Sequence, residues 1–317
     1  MILFNGASGS LGQYFAGALA DAARSGHALR ARLEDRSGLG SELAALARLG
    51  LPGGPAAVRA IWFVQMAAKV SVPECERDPQ AARRTNVTDP AATALDFVRW
   101  ARAQGAEPHV VLVSSGHVYA AQAHGSRVCE SDALAPRSVY ARTKLEGEQA
   151  LGDLAAEHAF PLTIARVFGL LAPRQPPNYM LQGMLRRARL LDLRAVPGLG
   201  FRRDFLDARD VCQHLVQLCR PQISAAGSGG FNAPRILNVC SGVPVELRDI
   251  LGQLLELVHP GRGAQLLAQA GEAPGRPDDI PWIVGDPSAL EAELGEPSLR
   301  TPLSATLRDA LAAAPPA

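Results

Sequence analysis

The opening residues MILFNGASGSLGQYFAGALA (1–20) place a short apolar run over residues 2–5 ahead of Gly6, Gly9 and Gly12, and a helical pattern follows at once. In that setting glycines let the backbone turn tightly, approach a pyrophosphate closely and aim the amides of a helix N-terminus at it. The spacing predicts a dinucleotide-binding turn built from Gly6, Ser8, Gly9, Ser10, Leu11 and Gly12. An ordinary turn is the plainer reading of three glycines, and their position directly after a first strand argues against it.

Outward from this turn, the first 170 residues alternate short apolar or β-branched runs with longer helical patterns, which is the signature of βαβ units and a parallel sheet. Strands are predicted near 2–5, 28–33, 58–66, 109–114 and 162–168, and helices near 10–24, 40–49, 79–104 and 138–158. Such helices are long enough to act as right-handed crossovers. The fold class is therefore α/β, a Rossmann-like doubly wound parallel sheet with a smaller C-terminal substrate-binding region. In LGLPGGPAA (49–57), Pro and Gly stand where a third strand and its following acidic residue belong, so that strand is expected to be short or missing.

Residues 1–170 read as an NAD(P)-binding domain and 171–317 mainly as a substrate-binding region, with a strand and helix near 205–240 returning to the main sheet. Helices are expected at 179–193, 208–219 and 245–258, a glycine-containing loop with a short strand at 195–204, and a strand with a turn at 236–242. The Gly-, Ser- and Pro-rich stretch 221–235 reads as a surface loop.

The 317 residues are 47% hydrophobic and 20% charged, a balance that supports a packed core rather than disorder. Lys plus Arg number 32 against 31 Asp plus Glu, so no global field gathers nucleic acid or an acidic membrane surface. Neither partner is expected. Five cysteines without CxxC spacing suggest neither a disulfide framework nor a zinc site, and no metal site is expected elsewhere. With no basic leader and no long uninterrupted apolar stretch, the expected location is the cytoplasm.

YARTK (140–144) sets Tyr140 and Lys144 four residues apart near the start of a helix, on one face. A free tyrosine has a pKa near ~10, and a neighbouring cation stabilises its phenolate, so such a pair can exchange a proton with a hydroxyl or carbonyl oxygen. An exposed helical Tyr and Lys is the plainer alternative. Ser115 weighs against it, because the run VVLVSS puts this hydroxyl at the carboxyl edge of the sheet, where ligands bind in open α/β folds.

Taken in order, GASGSLG (6–12), VSSGHVYA (113–120) and YARTK (140–144) resemble the extended short-chain dehydrogenase/reductase family, also called the NAD-dependent epimerase/dehydratase family. The resemblance covers nearly the whole chain. MAAKVSVPECERDPQAARRTNV (66–87) is similar to the family's strand-four segment, RRDFLDARDV (202–211) to its substrate-phosphate segment, and NVCSG (238–242) to the strand that comes after it. RPDDIPWIVGDPSALEAELG (276–295) resembles the C-terminal segment of sugar-nucleotide members.

The resemblance implies that Tyr140 is the general acid/base, that Lys144 lowers its pKa and holds the nicotinamide ribose, and that Ser115 hydrogen-bonds the same sugar oxygen. It implies cofactor contacts from Ala67 and Ala68 and substrate contacts from Asn178, with Arg203 and Arg276 clamping a diphosphate, a task suited to the guanidinium fork. For each arginine a surface ion pair is the alternative. Gly116 and His117 occupy the positions where the family's dehydratases carry an Asp-Glu pair, which disfavours water elimination and leaves His117 as a candidate proton shuttle or a structural residue.

LEDRS (33–37) is similar to the end of the second strand in NAD-using epimerases. Glu34 or Asp35 would accept hydrogen bonds from the ribose hydroxyls and repel a 2′-phosphate, whereas Arg36 could bind that phosphate. NAD is favoured, with NADP possible. The arginines at 186, 187 and 189 read as a solvated helix face, and the remaining histidines lack metal-ligand spacing. Helices near 89–104 and 141–157 are similar to those that pair across a homodimer in this family, with burial against the chain's own sheet as the alternative.

The sequence thus predicts an NAD-dependent epimerase that transiently oxidises the hexose of a nucleotide-diphosphate sugar. The alternatives are an NADPH-dependent 4-keto-6-deoxyhexose reductase and a non-catalytic dinucleotide sensor.

Overall fold

The computed structural model describes residues 1–22, 26–28, 42–43, 60–220, 233–275 and 279–314. Twelve strands lie among the described residues: β1 (Ile2–Phe4), β2 (Gly26–Ala28), β3 (Ala60–Gln65), β4 (Glu107–Ser115), β5 (Leu162–Val167), β6 (Gly169–Leu171), β7 (Val196–Pro197), β8 (Arg202–Asp207), β9 (Arg235–Val239), β10 (Pro244–Glu246), β11 (Glu272–Ala273) and β12 (Trp282–Ile283). Six of them form one sheet in the order β2-β1-β3-β4-β5-β9, with every pairing parallel.

A parallel sheet covered on both faces needs strands that are apolar on both sides, and AIWFVQ and EPHVVLVSS supply this. Alternate residues feed separate cores. Ile2, Phe4, Trp62 and Val64 pack with Phe15 of helix Gly12–Asp21 and Leu215 of helix Ala208–Leu218. Leu3, Ile61, Phe63 and Ile164 pack on the other face with Phe97 and Leu151. Those two residues belong to helices Asp89–Ala103 and Val139–His158, whose apolar positions Ala94, Val98, Ala101 and Ala155 are likewise buried against the chain's own sheet. The longer helix starts where the Ser138 hydroxyl accepts the Ala141 amide at 3.1 Å, and ends at Ala159 in the left-handed region with φ 50°.

The strands near 58–66, 109–114 and 162–168 appear where the pattern puts them, β4 starting two residues earlier. Of the strand expected at 28–33 the description covers its start, Gly26–Ala28, paired with β1; residues 29–33, most of the helix expected at 40–49, the stretch 49–57 and most of the loop 221–235 lie outside the described residues. The helix expected over 79–104 departs from its pattern. Between Pro79–Arg83 and Asp89–Ala103 runs a π-helical turn, Arg84–Thr88, whose wider winding turns the Asn86 side chain inward to a buried position.

After β5 the chain starts a second sheet with β6 paired to β8, returns to the edge of the central sheet with β9, and then completes the second sheet as β10-β8-β12. Helices Met180–Leu190, Leu247–Val258 and Leu303–Ala313 enclose a third core around Leu185, Leu251 and Leu307. Buried Asp204 on β8 ties these parts together. Its carboxylate accepts the Ser241 amide and hydroxyl, both at 2.7 Å, the Gly242 amide at 2.8 Å and the Gly285 amide at 3.2 Å. Replacing it would strand four buried donors in two segments at once, and each unsatisfied donor costs about 1–3 kcal/mol. Asp204→Ala is accordingly expected to lose roughly 3 kcal/mol or more of stability, read from the urea unfolding midpoint.

Candidate active site

The central sheet reverses its direction of build between β1 and β3, and at such a switch point the loops leaving the two strands diverge to open a crevice. Asn5, the residue after β1, fixes its width. The Asn5 Oδ1 accepts the amides of Met66 and Ala67 at 2.9 and 3.0 Å, and its Nδ2 donates to Gln65 Oε1 at 2.7 Å. Gly6 comes next with φ +73°, where a Cβ would come within 2.8 Å of the Ala67 nitrogen. At Gly12 a Cβ would lie 2.1 Å from the Gly6 carbonyl oxygen, so the loop can close on the helix start only without a side chain there.

A cavity of about 960 Å³ fills this crevice and extends over the ends of β3, β4 and β5. Gly6, Ser8, Gly9, Ser10, Leu11, Gly12, Ala67, Ala68, Ser115, His117, Tyr140, Lys144 and Asn178 all line it. The residues singled out from the sequence are therefore brought together, apart from five. Arg203 is not among the lining residues; its guanidinium lies over the Phe201 ring at 5.2 Å and donates to the Arg202 carbonyl at 3.1 Å. Glu34, Asp35 and Arg36, on which the choice of dinucleotide turned, and Arg276 lie outside the described residues. Among the described residues no group of three or more His, Cys, Asp or Glu is placed to hold a metal ion.

At the floor of the cavity the Ser115 hydroxyl caps the short turn Gly116–Val118 by accepting the His117 amide at 3.2 Å, and it lies on the same cavity wall as the phenol of Tyr140. Burial pushes the Tyr140 phenol up to about 12, with Ser115 opposing the shift. Lys144, one turn along, is buried and donates to the Val113 carbonyl at 2.7 Å; burial draws its ammonium down to about 8, against the pull of Glu148. The His117 ring meets the Tyr140 ring edge-on, centroids 6.2 Å apart. A Cβ at Gly116 would sit 3.0 Å from the Phe168 ring, so an acidic side chain at this position would have to displace an aromatic wall.

Three further contributors were not anticipated. Asn86 joins the loop after β3 to the Tyr140 helix: its Oδ1 accepts the Lys69 amide at 2.8 Å, and its Nδ2 donates to the Lys69 carbonyl and to Thr143 Oγ1, both at 2.9 Å. Tyr179 lines the same cavity as Ser10, so the segment before helix Met180–Leu190 faces the glycine loop across it. Beneath Lys144 lies a buried pair, Glu148 with Arg166, at 2.7 Å. The only local trace of these groups in the sequence is a polar residue at an otherwise apolar position.

The crevice fits a dinucleotide: two glycines without which the loop could not form flank a helix start, and the cavity runs from them to Ser115, Tyr140 and Lys144. Such a combination defines a Rossmann-like oxidoreductase or epimerase site. The profile of the NAD dependent epimerase/dehydratase family matches residues 2–233, and the chain belongs to that family.

Among curated relatives, the GDP-6-deoxy-D-mannose reductase of Pseudomonas aeruginosa is 26% identical over 203 residues, a match spanning 62% of this chain and 62% of the relative. Among solved structures, RMD from Pseudomonas aeruginosa complexed with NADPH superposes with a TM-score of 0.74 at 22% identity, covering 98% of each chain. The UDP-glucose 4-epimerase of Thermus thermophilus in complex with NAD gives 0.73 at 20% identity, again covering 98% of each.

Gly12→Ala tests the crevice. The added methyl cannot coexist with the Gly6 carbonyl, so the variant is expected to lose at least tenfold in NADH and NADPH affinity by fluorescence titration, whereas Gly17→Ala, with nothing within 4 Å of the new Cβ, should bind as the wild type does.

Proposed function

We propose that the protein is an NADPH-dependent reductase of a nucleotide-diphosphate 4-keto-6-deoxyhexose, with Tyr140 as the acid that protonates the carbonyl oxygen. The observation that carries this reading is that Ser115 and Tyr140 face the same cavity, with a phenol that removal from water keeps protonated throughout the neutral range. Reduction of a ketone needs such an acid at its oxygen. The similarity to a GDP-6-deoxy-D-mannose reductase, and to a structure holding NADPH, supports the choice of substrate class and coenzyme.

The bound dinucleotide would supply the hydride. In this reading the Ser115 hydroxyl holds the substrate oxygen against the phenol, Tyr140 releases its proton to that oxygen, and the ammonium of Lys144 offsets the charge left on the ring. Gly116 and His117 place no carboxylate beside the substrate, so the site suits redox chemistry at a carbinol or ketone rather than elimination of water. His117 is near enough to Tyr140 to return its proton from solvent after each turnover. Asn178, on the rim, is in place to contact the sugar, although in this structure it donates to Glu74 at 3.4 Å.

Epimerisation through transient oxidation is the second reading, favoured by the acidic residues of LEDRS (33–37), which suit an unphosphorylated ribose. Cofactor stoichiometry separates the two. With GDP-4-keto-6-deoxy-D-mannose, the reductase is expected to oxidise one equivalent of NADPH per product formed; interconversion of nucleotide hexoses with no net change in the dinucleotide would establish the epimerase instead. In either case Tyr140→Phe is expected to cut kcat by about 10²–10⁴-fold while NADPH binding persists. A variant with undiminished turnover would remove Tyr140 from the chemistry.

A further inference from the structure

Ser114, Arg166 and Asn238 form a polar row across β4, β5 and β9, on the face covered by helix Val139–His158. From that helix the buried Glu148 reaches down into the row. Its Oε1 accepts a close hydrogen bond from the Ser114 hydroxyl, and its two oxygens take the Arg166 fork at 3.1, 3.2 and 2.7 Å. Arg166 in turn lies over the Tyr119 ring at 4.8 Å, and the Tyr119 hydroxyl donates to Asn238 Oδ1 at 2.7 Å. Lys144 stands one turn before Glu148 on the same helix face and is equally buried.

We infer that Glu148 is a positioning residue for the catalytic group: its carboxylate keeps Lys144 charged and pins the Ser114–Ser115 backbone under the substrate oxygen. The reason is buried charge. Two cations, Lys144 and Arg166, share one carboxylate, so the enclosed cluster carries an excess positive charge that a tyrosinate at Tyr140 would neutralise. Glu130, the other acid of the row, sits at its Asn238 end, and a second carboxylate beside Lys144 would cancel the stimulus to ionise the phenol. With none, Lys144 would shed its proton, as a buried lysine beside an unpaired arginine does.

Among the described residues the other carboxylate of this row is the half-buried Glu130, which accepts the Asn238 amide at 2.7 Å at the far end beyond Tyr119, whereas Glu148 alone stands on the Lys144 side. Tyr140 is the other titratable neighbour of Lys144 on its own helix, and Tyr119 lies beyond Arg166. From the elements packed on the rest of the helix, Glu76 accepts the Val139 amide at 2.6 Å and Arg83 pairs with the exposed Glu146 at 2.8 Å, while Glu74 and Cys75 lie toward the Tyr140 end. Burial draws Lys144 down to about 8, and Glu148 is the single charge that opposes this.

One test does not depend on the proposed substrate. The Lys144 pKa is lower folded than the ~10.4 of an unfolded lysine, so its contribution to stability is full above that value and is lost as pH falls through the folded pKa. In Glu148→Gln the folded pKa falls further, and the loss continues below pH 8. The stability deficit of the variant against wild type is then expected to grow at least tenfold in the folding constant between pH 8.5 and 6, and this growth should vanish when both chains also carry Lys144→Met. A deficit that is the same at both pH values, as a purely structural hydrogen bond would give, overturns the assignment. Should Glu148→Gln fail to fold, Arg166→Gln decides: with its competitor gone, the carboxylate should raise the Lys144 pKa, so the variant gains on wild type as pH falls from 9 to 7, and an unchanged difference overturns it.

The catalytic arm rests on the proposed function. The alkaline limb of kcat/KM should move down by at least one pH unit in Glu148→Gln and return in Glu148→Asp. A wild type that does not turn over the ketohexose fails that reading alone, leaving the stability result to judge Glu148.

Discussion

The side chain of Asn5 decides the geometry of the crevice. Two parallel strands whose crossovers run in opposite directions leave their loops unsupported by any shared ladder, and a buried amide with one acceptor and two donor hydrogens can satisfy both loops at once. The Asn5 oxygen takes two consecutive amides of the β3 loop, and the glycine turn starts at the next residue. The position of the phosphate-facing backbone relative to the rest of the sheet is thus set by the hydrogen bonds of one buried side chain. Asn86 performs the matching task on the far side, so the loop after β3 is held between two amides, one belonging to the cofactor side and one to the catalytic helix.

This double anchorage lets the reactive groups be buried. Tyr140 and Lys144 are both displaced from their ordinary acid strengths by the same cause, removal from water: the phenol rises to about 12 and the ammonium falls to about 8. Burial disfavours the charged form of each alone, but an ion pair of the two would not leave a net charge of its own. Enclosing them makes their protonation states depend on one another and on the groups beneath.

How much of this was legible in the sequence depends on how local each feature is. The Gly6–Gly12 turn and the Tyr140–Lys144 pair are contiguous, and their spacing alone places them on a loop and one helix face. Ser115 was legible because a strand's end is legible. Glu148 and Arg166 are separated by eighteen positions and meet only through the packing of helix on sheet, so no local spacing in the sequence pairs them. The π-helical turn left no trace because the apolar pattern on either side of it remains helical. Arg203 was assigned through similarity of the RRDF segment, and its neighbour Asp204, the residue that ties two other segments to β8, carried no motif of its own.

The π-helical turn at Arg84–Thr88 amounts to one residue more than the α-helix would hold. Removing a single residue there would restore regular winding, improve the local hydrogen-bond register and swing the part before the deletion by roughly 100° relative to helix Asp89–Ala103. Asn86 could not then keep both Lys69 and Thr143, and the Asn86 carbonyl, which a Cβ on Gly147 would approach to 2.5 Å, would no longer nest against that glycine. Chain length in this stretch is therefore under a tighter constraint than residue identity. Across descendants of this protein, one-residue gaps should be purged from the middle of a long surface-crossing helix, a place where an alignment judged by helical propensity alone would accept them.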